Sequence, residues 1–421
     1  MDVVKDLVGH IALPKMAPAR QVFDDTHIAD LDAHLAQAFA AAALETRVRP
    51  GESVAIGVGS RGVAELPRLV AATVDALKRV GARPYIVPAM GSHGGATAEG
   101  QVALLAGLGV SEASAGCPIR SSMDTVEVGR LESGLAVLMD AIAMEADHIA
   151  FINRVKPHTS FSAPIESGLA KMLSIGLANH KGAEACHAEG FGAMADNVVE
   201  MAKVKIAKAP ILFGLATVEN AYDKVAVAEV VFPEEMLSRE PDLLTLARAK
   251  MPKILLDHID VLVVNEMGKE FSGTGMDPNI TGRPGTPYVQ SNYTASKLVI
   301  LDMSEKSAGN ATGLGLADVC TEQLFKKIDF RAFYTNHLTS TATTGAKIPM
   351  IMATPEMAVQ AGLKTANTQS AATARVVRIP NTLHLGHIMI SEALIAEAQA
   401  HPQIADIGAV APWSFEMPAH A

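Results

Sequence analysis

Residues 52–100, ESVAIGVGSRGVAELPRLVAATVDALKRVGARPYIVPAMGSHGGATAEG, decide the fold. ESVAIGVGS (52–60) is a short apolar run that ends in glycine, which reads as a strand entering a loop. LPRLVAATVDALKRVGA (66–82) follows with helical spacing and Gly81 at its stop. RPYIVPAM (83–90) is the next strand. GSHGGATAEG is a polar glycine loop, and a helix then runs to about Leu108. Strand–loop–helix repeated in this way implies parallel strands joined by crossovers, the start of a Rossmann-like α/β domain.

Working outward, residues 30–48 read as an amphipathic helix rich in good helix formers. VEVGRL and LAVLMD, near 126–140, read as a pair of strands, and DHIAFIN (147–153) as another. ILFGLATV and AVAEVVF (within 211–232) are strands and 233–251 a helix, which Pro252 breaks. From HIDVLVVNEMG (258–268) the rhythm restarts. It predicts strands near 297–303, 347–353 and 374–380, and helices near DVCTEQLFKK, TPEMAVQAGL and ISEALIAEAQA. The expectation is therefore two α/β domains. The first, over 1–252, has a parallel sheet, and a smaller one over 253–421 closes the cleft, its last residues able to pack back on the first.

A chain of 421 residues is long for one core, and 49% hydrophobic content with 4% aromatics means aliphatic interiors, as buried parallel strands require. The net charge of −10 and the lack of a basic run argue against nucleic acid. No apolar run approaches the roughly 18 residues that span a bilayer, and the first residues lack a signal-peptide pattern. Cys117, Cys186 and Cys320 are too few and scattered for a disulfide framework or a cysteine zinc site. A cytoplasmic protein bound to neither membrane nor nucleic acid is expected.

In open α/β sheets ligands lie beyond the carboxyl ends of the strands, so loops at 59–65, 91–97, 153–171 and 265–283 should converge. The densest chemistry is NRVKPHTSFSAPIESGLAKMLSIGLANHKGAEACH (153–187). His93 follows a strand and precedes a helix, which suits either a ligand-contacting imidazole or a plain turn histidine. His158 can exchange a proton near neutrality or sit on a surface loop. Lys171 has small and apolar neighbours, which suit a nucleophilic amine, while a snorkelling surface lysine is the commoner case for any single lysine. His180 and His187 share a helix face, so one metal ligand is plausible there. Arg61, Arg154 and Arg283 fall in strand-end loops and can each clamp a carboxylate or form an ordinary ion pair. Glu65 and Asp277 share that ambiguity. His337, His384 and His387 read as structural histidines.

Taken in order, these segments resemble the nickel-pincer-nucleotide-dependent lactate racemases and their superfamily of 2-hydroxyacid racemases and epimerases. GSRGVAELP (59–67) is similar to the family's first substrate and cofactor loop, and MGSHGGAT (90–97) to its Gly–x–His motif. KPHTSFS (156–162) resembles the segment with the second base, and GLAKMLSIG (168–176) the lysine loop. The resemblance implies His93 and His158 as catalytic bases and Lys171 as the residue thioamide-linked to the cofactor. It implies His187 as the nickel ligand, preferred over His180 on its spacing from the lysine. Ser60, Arg61, Gly91, Gly94 and Gly95 would contact the cofactor. Arg61, Arg154, Lys156 and Arg283 are candidates for the substrate carboxylate. The implied cofactor is pyridinium-3,5-bisthiocarboxylic acid mononucleotide nickel, received transiently from its synthesis enzymes. The implied reaction inverts C2 by passing its hydride to the cofactor and back.

Two departures fall on substrate-facing loops. GSRGVA replaces the family's Asp–His–Thr–Arg–Pro string, and the loop between His158 and Lys171 is longer. A substrate other than lactate is therefore expected. Two other classes compete. An NAD(P)-dependent 2-hydroxyacid dehydrogenase would need a G-x-G-x-x-G fingerprint that VGSRGVAE (58–65) lacks. A non-catalytic ligand or cofactor carrier would use the same cleft without turnover.

Overall fold

The computed structural model describes residues 2–60, 62–291 and 295–416. The chain forms two compact units, one of Asp24–Met251 and one of Met1–Phe23 with Pro252–Ala421. One division falls between Met251 and Pro252. The first 23 residues, however, group with the C-terminal unit rather than with the first domain. The reason is strand pairing: Met16–Gln21 lies antiparallel between His387–Ser391 and Ile404–Ala405.

The unit Asp24–Met251 is built on a five-stranded sheet. Its order is Arg83–Pro88, Ser53–Val58, His148–Arg154, Ile211–Glu219, Val225–Val231. The first four strands are parallel and the last is antiparallel. Val54, Ile56 and Val58 pack into one core with Leu69, Val74, Leu77 and Phe213. Ala55 faces the other core, with Phe151, Leu169, Leu173 and Met201. Burial on both faces explains why these strands are continuously apolar. The helix Leu66–Arg79 starts with proline in its first turn and ends near Gly81 at φ +84°, a left-handed position that glycine adopts without cost. The pair Thr125–Arg130 and Ala136–Asp140 is an antiparallel hairpin.

Chain order along this sheet places the functional loops. The chain steps from Ser53–Val58 outward to Arg83–Pro88, then crosses back to His148–Arg154 on the other side of Ser53–Val58. Such a reversal opens a crevice at the carboxyl ends of the two diverging strands. Val58 pairs with Pro88 on one side and Ile152 on the other, so residues 59–60, 89–95 and 155–168 leave the sheet side by side.

The other unit has an eight-stranded mixed sheet with Val261–Met267, Lys297–Met303, Val319–Thr321, Met350–Met352 and Val376–Ile379 parallel. Two helices expected here are shorter than their sequences suggest. Val319–Thr321 is a strand, and its helix begins only at Glu322, where the Thr321 hydroxyl accepts the Leu324 amide at 3.1 Å. His387–Ser391 is likewise a strand, ahead of the helix Ile395–Ala400. The helix expected over 30–48 runs Leu31–Ala41 and stops where Ala43 turns to φ +45°. Among the described residues no helix is long and apolar enough to cross a membrane.

Candidate active site

Ser60 and His93 leave neighbouring strands, and the Ser60 hydroxyl hydrogen-bonds His93 Nδ1. The loop carrying His93 is held from beneath. Gly91 donates its amide to the Gly176 carbonyl at 3.2 Å, and Gln101, fully buried, donates to the Gly91 carbonyl at 3.1 Å. Gly91 and Gly94 lie at φ +59° and +65°, and a Cβ on Gly94 would strike the Gln101 amide. Both glycines are therefore required by the turn. Gly95, at φ +67°, has open space around it.

His158 stands on the loop after the adjacent strand. Its amide donates to buried Glu166 at 2.6 Å, and the same carboxylate accepts the Ala163 amide at 2.8 Å and pairs with Arg248. Burial raises the Glu166 pKa, while the amides of His158 and Ala163 and the Arg248 charge oppose the rise. The His158 ring stacks on Phe161 with centroids 4.3 Å apart, and its Nδ1 accepts the Ser160 amide at 3.0 Å. An Nδ1 that accepts leaves the proton of the neutral ring on Nε2.

Lys171 sits in the short helix Leu169–Ser174, half-buried, with Nζ 3.5 Å from the Ser167 hydroxyl. The chain then passes Gly176, where a Cβ would collide with Met172 Sδ, and bends at Asn179. Asn179 has φ +51°, and its amide donates to Asp140 at 2.7 Å and to the hairpin-side carbonyls of Ser122 and Asp124. That bend starts the helix Asn179–His187 and returns His187 toward the lysine. Burial lowers the His187 pKa, the nearby Lys171 charge lowers it further, and the Ala183 carbonyl opposes both. His187 Nδ1 donates to that carbonyl at 2.7 Å, so Nε2 presents a lone pair. His180 is half-exposed and faces Glu184 at 3.7 Å. Phe191 links the two imidazoles, its ring centroid 6.0 Å from His187 and 6.4 Å from His158.

Residues 11–197 match the family described as the lactate racemase N-terminal domain. Over these residues the chain is similar to that family. Its fold is similar to that of the lactate racemase apoprotein from Thermoanaerobacterium thermosaccharolyticum. The two are 12% identical, with a TM-score of 0.55 over 88% of this chain and 99% of that one. A protein of Thermotoga maritima aligns over 64% of this chain and 70% of its own, at 15% identity and a TM-score of 0.47. No curated protein matches the sequence.

The unit Asp24–Met251 contains Ser60, His93, Lys156, His158, Lys171 and His187. Arg61 lies outside the described residues. Lys156 is half-buried, and its backbone bridges to Ser167. Arg154 pairs with Glu219, which also accepts the Ala64 amide at 2.7 Å. Arg283 belongs to the other unit, where it donates to the carbonyls of Ala295 and Ser296 and to Asp318 at 2.8–3.0 Å. Among the described residues no three His, Cys, Asp or Glu side chains group to hold a metal. The three cysteines are buried thiols, and burial pushes Cys186, beside His187, up to about 12.

Sequence reasoning passed over Glu166, Phe191, Lys205, Glu219 and Glu240. The glycines flanking Phe191 in EGFGAM (189–194) were the available signal for that ring. The four charged residues carry none.

Proposed function

We propose that this protein is a 2-hydroxyacid racemase or epimerase that works with the nickel-pincer nucleotide. The observation that carries the reading is the pairing of a half-buried amine, Lys171, with the neutral imidazole of His187. His187 has its Nδ1 tied to a backbone carbonyl and its Nε2 lone pair presented, the arrangement of a metal-ligating histidine. With no three-residue donor cluster among the described residues, a metal at His187 would need its remaining donors from an organic group. A sulfur-bearing group held covalently by Lys171 fits that requirement, and nickel accepts such a mixed soft donor set. When bound, the cofactor supplies a hydride acceptor and donor at carbon beside the nickel. The Gly91–Gly95 loop and Ser60 are proposed to lie against its nucleotide part, and the cofactor-synthesis enzymes to be transient partners.

The chain's own residues account for proton handling. The Ser60 hydroxyl can accept from His93 Nδ1–H, which leaves Nε2 to receive the substrate hydroxyl proton. His158, with Nδ1 occupied by the Ser160 amide, presents Nε2–H as a donor to substrate oxygen. The two imidazoles thus meet the substrate in opposite hydrogen-bonding states. For the other enantiomer, Ser60 can rotate to donate, whereas His158 must release the Ser160 amide. Lys156, two positions before His158 on the same loop, is the proposed carboxylate partner, together with Arg61.

The test is inversion of enantiopure 2-hydroxyacids, read by chiral chromatography, on protein co-expressed with the cofactor-synthesis enzymes. At least one acid should invert, and His93→Ala or His158→Ala should slow it by ~10²–10⁴-fold with the cofactor mass still on the protein. Intact-mass evidence of cofactor on Lys171 with no inversion of any acid would leave a carrier, not a racemase.

A further inference from the structure

The helix that carries Lys171 has only six residues, far too few to hold its own shape in water. Its end groups also lack the usual local caps. Gly168, at the N-cap, makes no side-chain cap bond. Both ends are instead closed by ionisable side chains that come from other helices and are fully buried.

At the start stands Glu240, from the helix Met236–Lys250. Its Oε2 accepts the Ala170 amide at 2.8 Å, and the Leu169 amide also bonds the carboxylate. Its other oxygen is buried without a partner. Only glycine at 168 admits this carboxylate, because a Cβ there would collide with Glu240 Oε1. At the far end stands Lys205, from the helix Met194–Lys208. Its Nζ donates to the Leu173 carbonyl at 2.6 Å and lies 3.5 Å from the Ser174 carbonyl. Neither residue has measurable exposure.

When ionised, the two groups match the helix macrodipole, a carboxylate at the amino end and an ammonium at the carboxyl end, although burial brings both pKa values to about 7. Burying an ionisable group costs several kcal/mol, and a neutral serine or asparagine cap would satisfy the same amides at far lower cost. Two such groups on one six-residue segment fix it from both ends against two separate helices, with Lys171 in its middle.

We propose that Glu240 and Lys205 are positioning residues, a two-ended clamp that holds the Lys171 amine beside His187. The inference rests on the reading of Lys171 as cofactor anchor. The clamp removes the freedom of the short helix to slide or rotate, and so sets where the amine stands before any cofactor arrives.

The experiment uses the apoprotein. Glu240→Gln and Lys205→Met are treated with an amine acylating reagent, and labelling of Lys171 is followed by peptide mass spectrometry against exposed Lys203 as the internal reference. Loosening the clamp should raise the Lys171 rate relative to Lys203 by about fivefold or more, as local opening does. Relative rates within about twofold of wild type in both variants, with the thermal transition retained, overturn the clamp. Should either charge variant fail to fold, Gly168→Ala decides, since it displaces the carboxylate without changing any charge, and the same rise is expected. A Lys171→Ala protein that still takes up cofactor and turns over would end the anchor reading, while the labelling results from the other variants would still decide the clamp.

Discussion

Replacing Arg154 by methionine asks whether this arginine holds the fold or the substrate. Its guanidinium is about one-fifth exposed and pairs with Glu219, whose side chain is 8% exposed. Removing the guanidinium leaves a nearly buried carboxylate with the Ala64 amide still bonded to it. Breaking one side of a buried pair costs 3–5 kcal/mol, and partial exposure of the arginine puts the expectation near ~3 kcal/mol. The double variant Arg154→Met/Glu219→Gln removes both charges and keeps an oxygen for the Ala64 amide. It should therefore recover to within about 1 kcal/mol of wild type, ~2 kcal/mol better than the single variant. Trp413, the single tryptophan, lies in the other unit, so its fluorescence would miss the event. Hydrogen exchange of amides in His148–Arg154 and Ile211–Glu219 reads it directly. A structural role predicts faster exchange in the single variant, recovery in the double, and little change in KM in the double. If the single variant exchanges like wild type while KM rises sharply, or if the double is no more protected than the single, the ion-pair argument is wrong.

Three further outcomes follow. Ser60→Ala removes the oxygen partner of His93 Nδ1 and should lower kcat by about 10–100-fold, the usual effect of losing an orienting partner, with KM little changed in steady-state inversion assays. After co-expression with cofactor-synthesis enzymes, His187→Ala should lose nickel by at least about tenfold in elemental analysis, whereas His180→Ala, whose ring faces Glu184, should keep it. Lys205 has its pKa lowered by burial to about 7, so between there and the ordinary lysine value of 10.5 the unfolded chain holds a proton that the folded chain does not. Stability should therefore rise with pH across that window, by up to ~5 kcal/mol, and Lys205→Met should flatten the rise in denaturant midpoints; equal slopes in both proteins would refute it.

The parallel strands were legible because a strand buried on both faces must be apolar throughout, as Val54–Val58 is. Short mixed segments were not. ISEALIAEAQA (390–400) is rich in good helix formers, yet Ile390 and Ser391 pair with Ala17 and Met16. A partner nearly the whole chain away decides that conformation, and local propensity has no access to it. The same applies at Val319–Thr321, held between two parallel strands.

The candidate site divides in the same way. The residues proposed to meet ligand sit on loops and short helices, where glycine, histidine and lysine in unusual density mark them. Residues that hold those segments are ordinary charged side chains in helices, at strand ends and in one loop. Their meaning depends on contacts 32 to 82 positions away: Lys205 to Leu173, Arg154 to Glu219, Glu240 to Ala170, Arg248 to Glu166. No local pattern marks a glutamate that will end up under a distant glycine. The first loop shows what this means for transferring roles between relatives. GSRGVA departs from the family string, but what His93 needs there is an oxygen at hydrogen-bonding distance from Nδ1, and Ser60 supplies it. Transfer of a role between relatives therefore turns on the atom that reaches the site, here the Ser60 hydroxyl, rather than on the string around it.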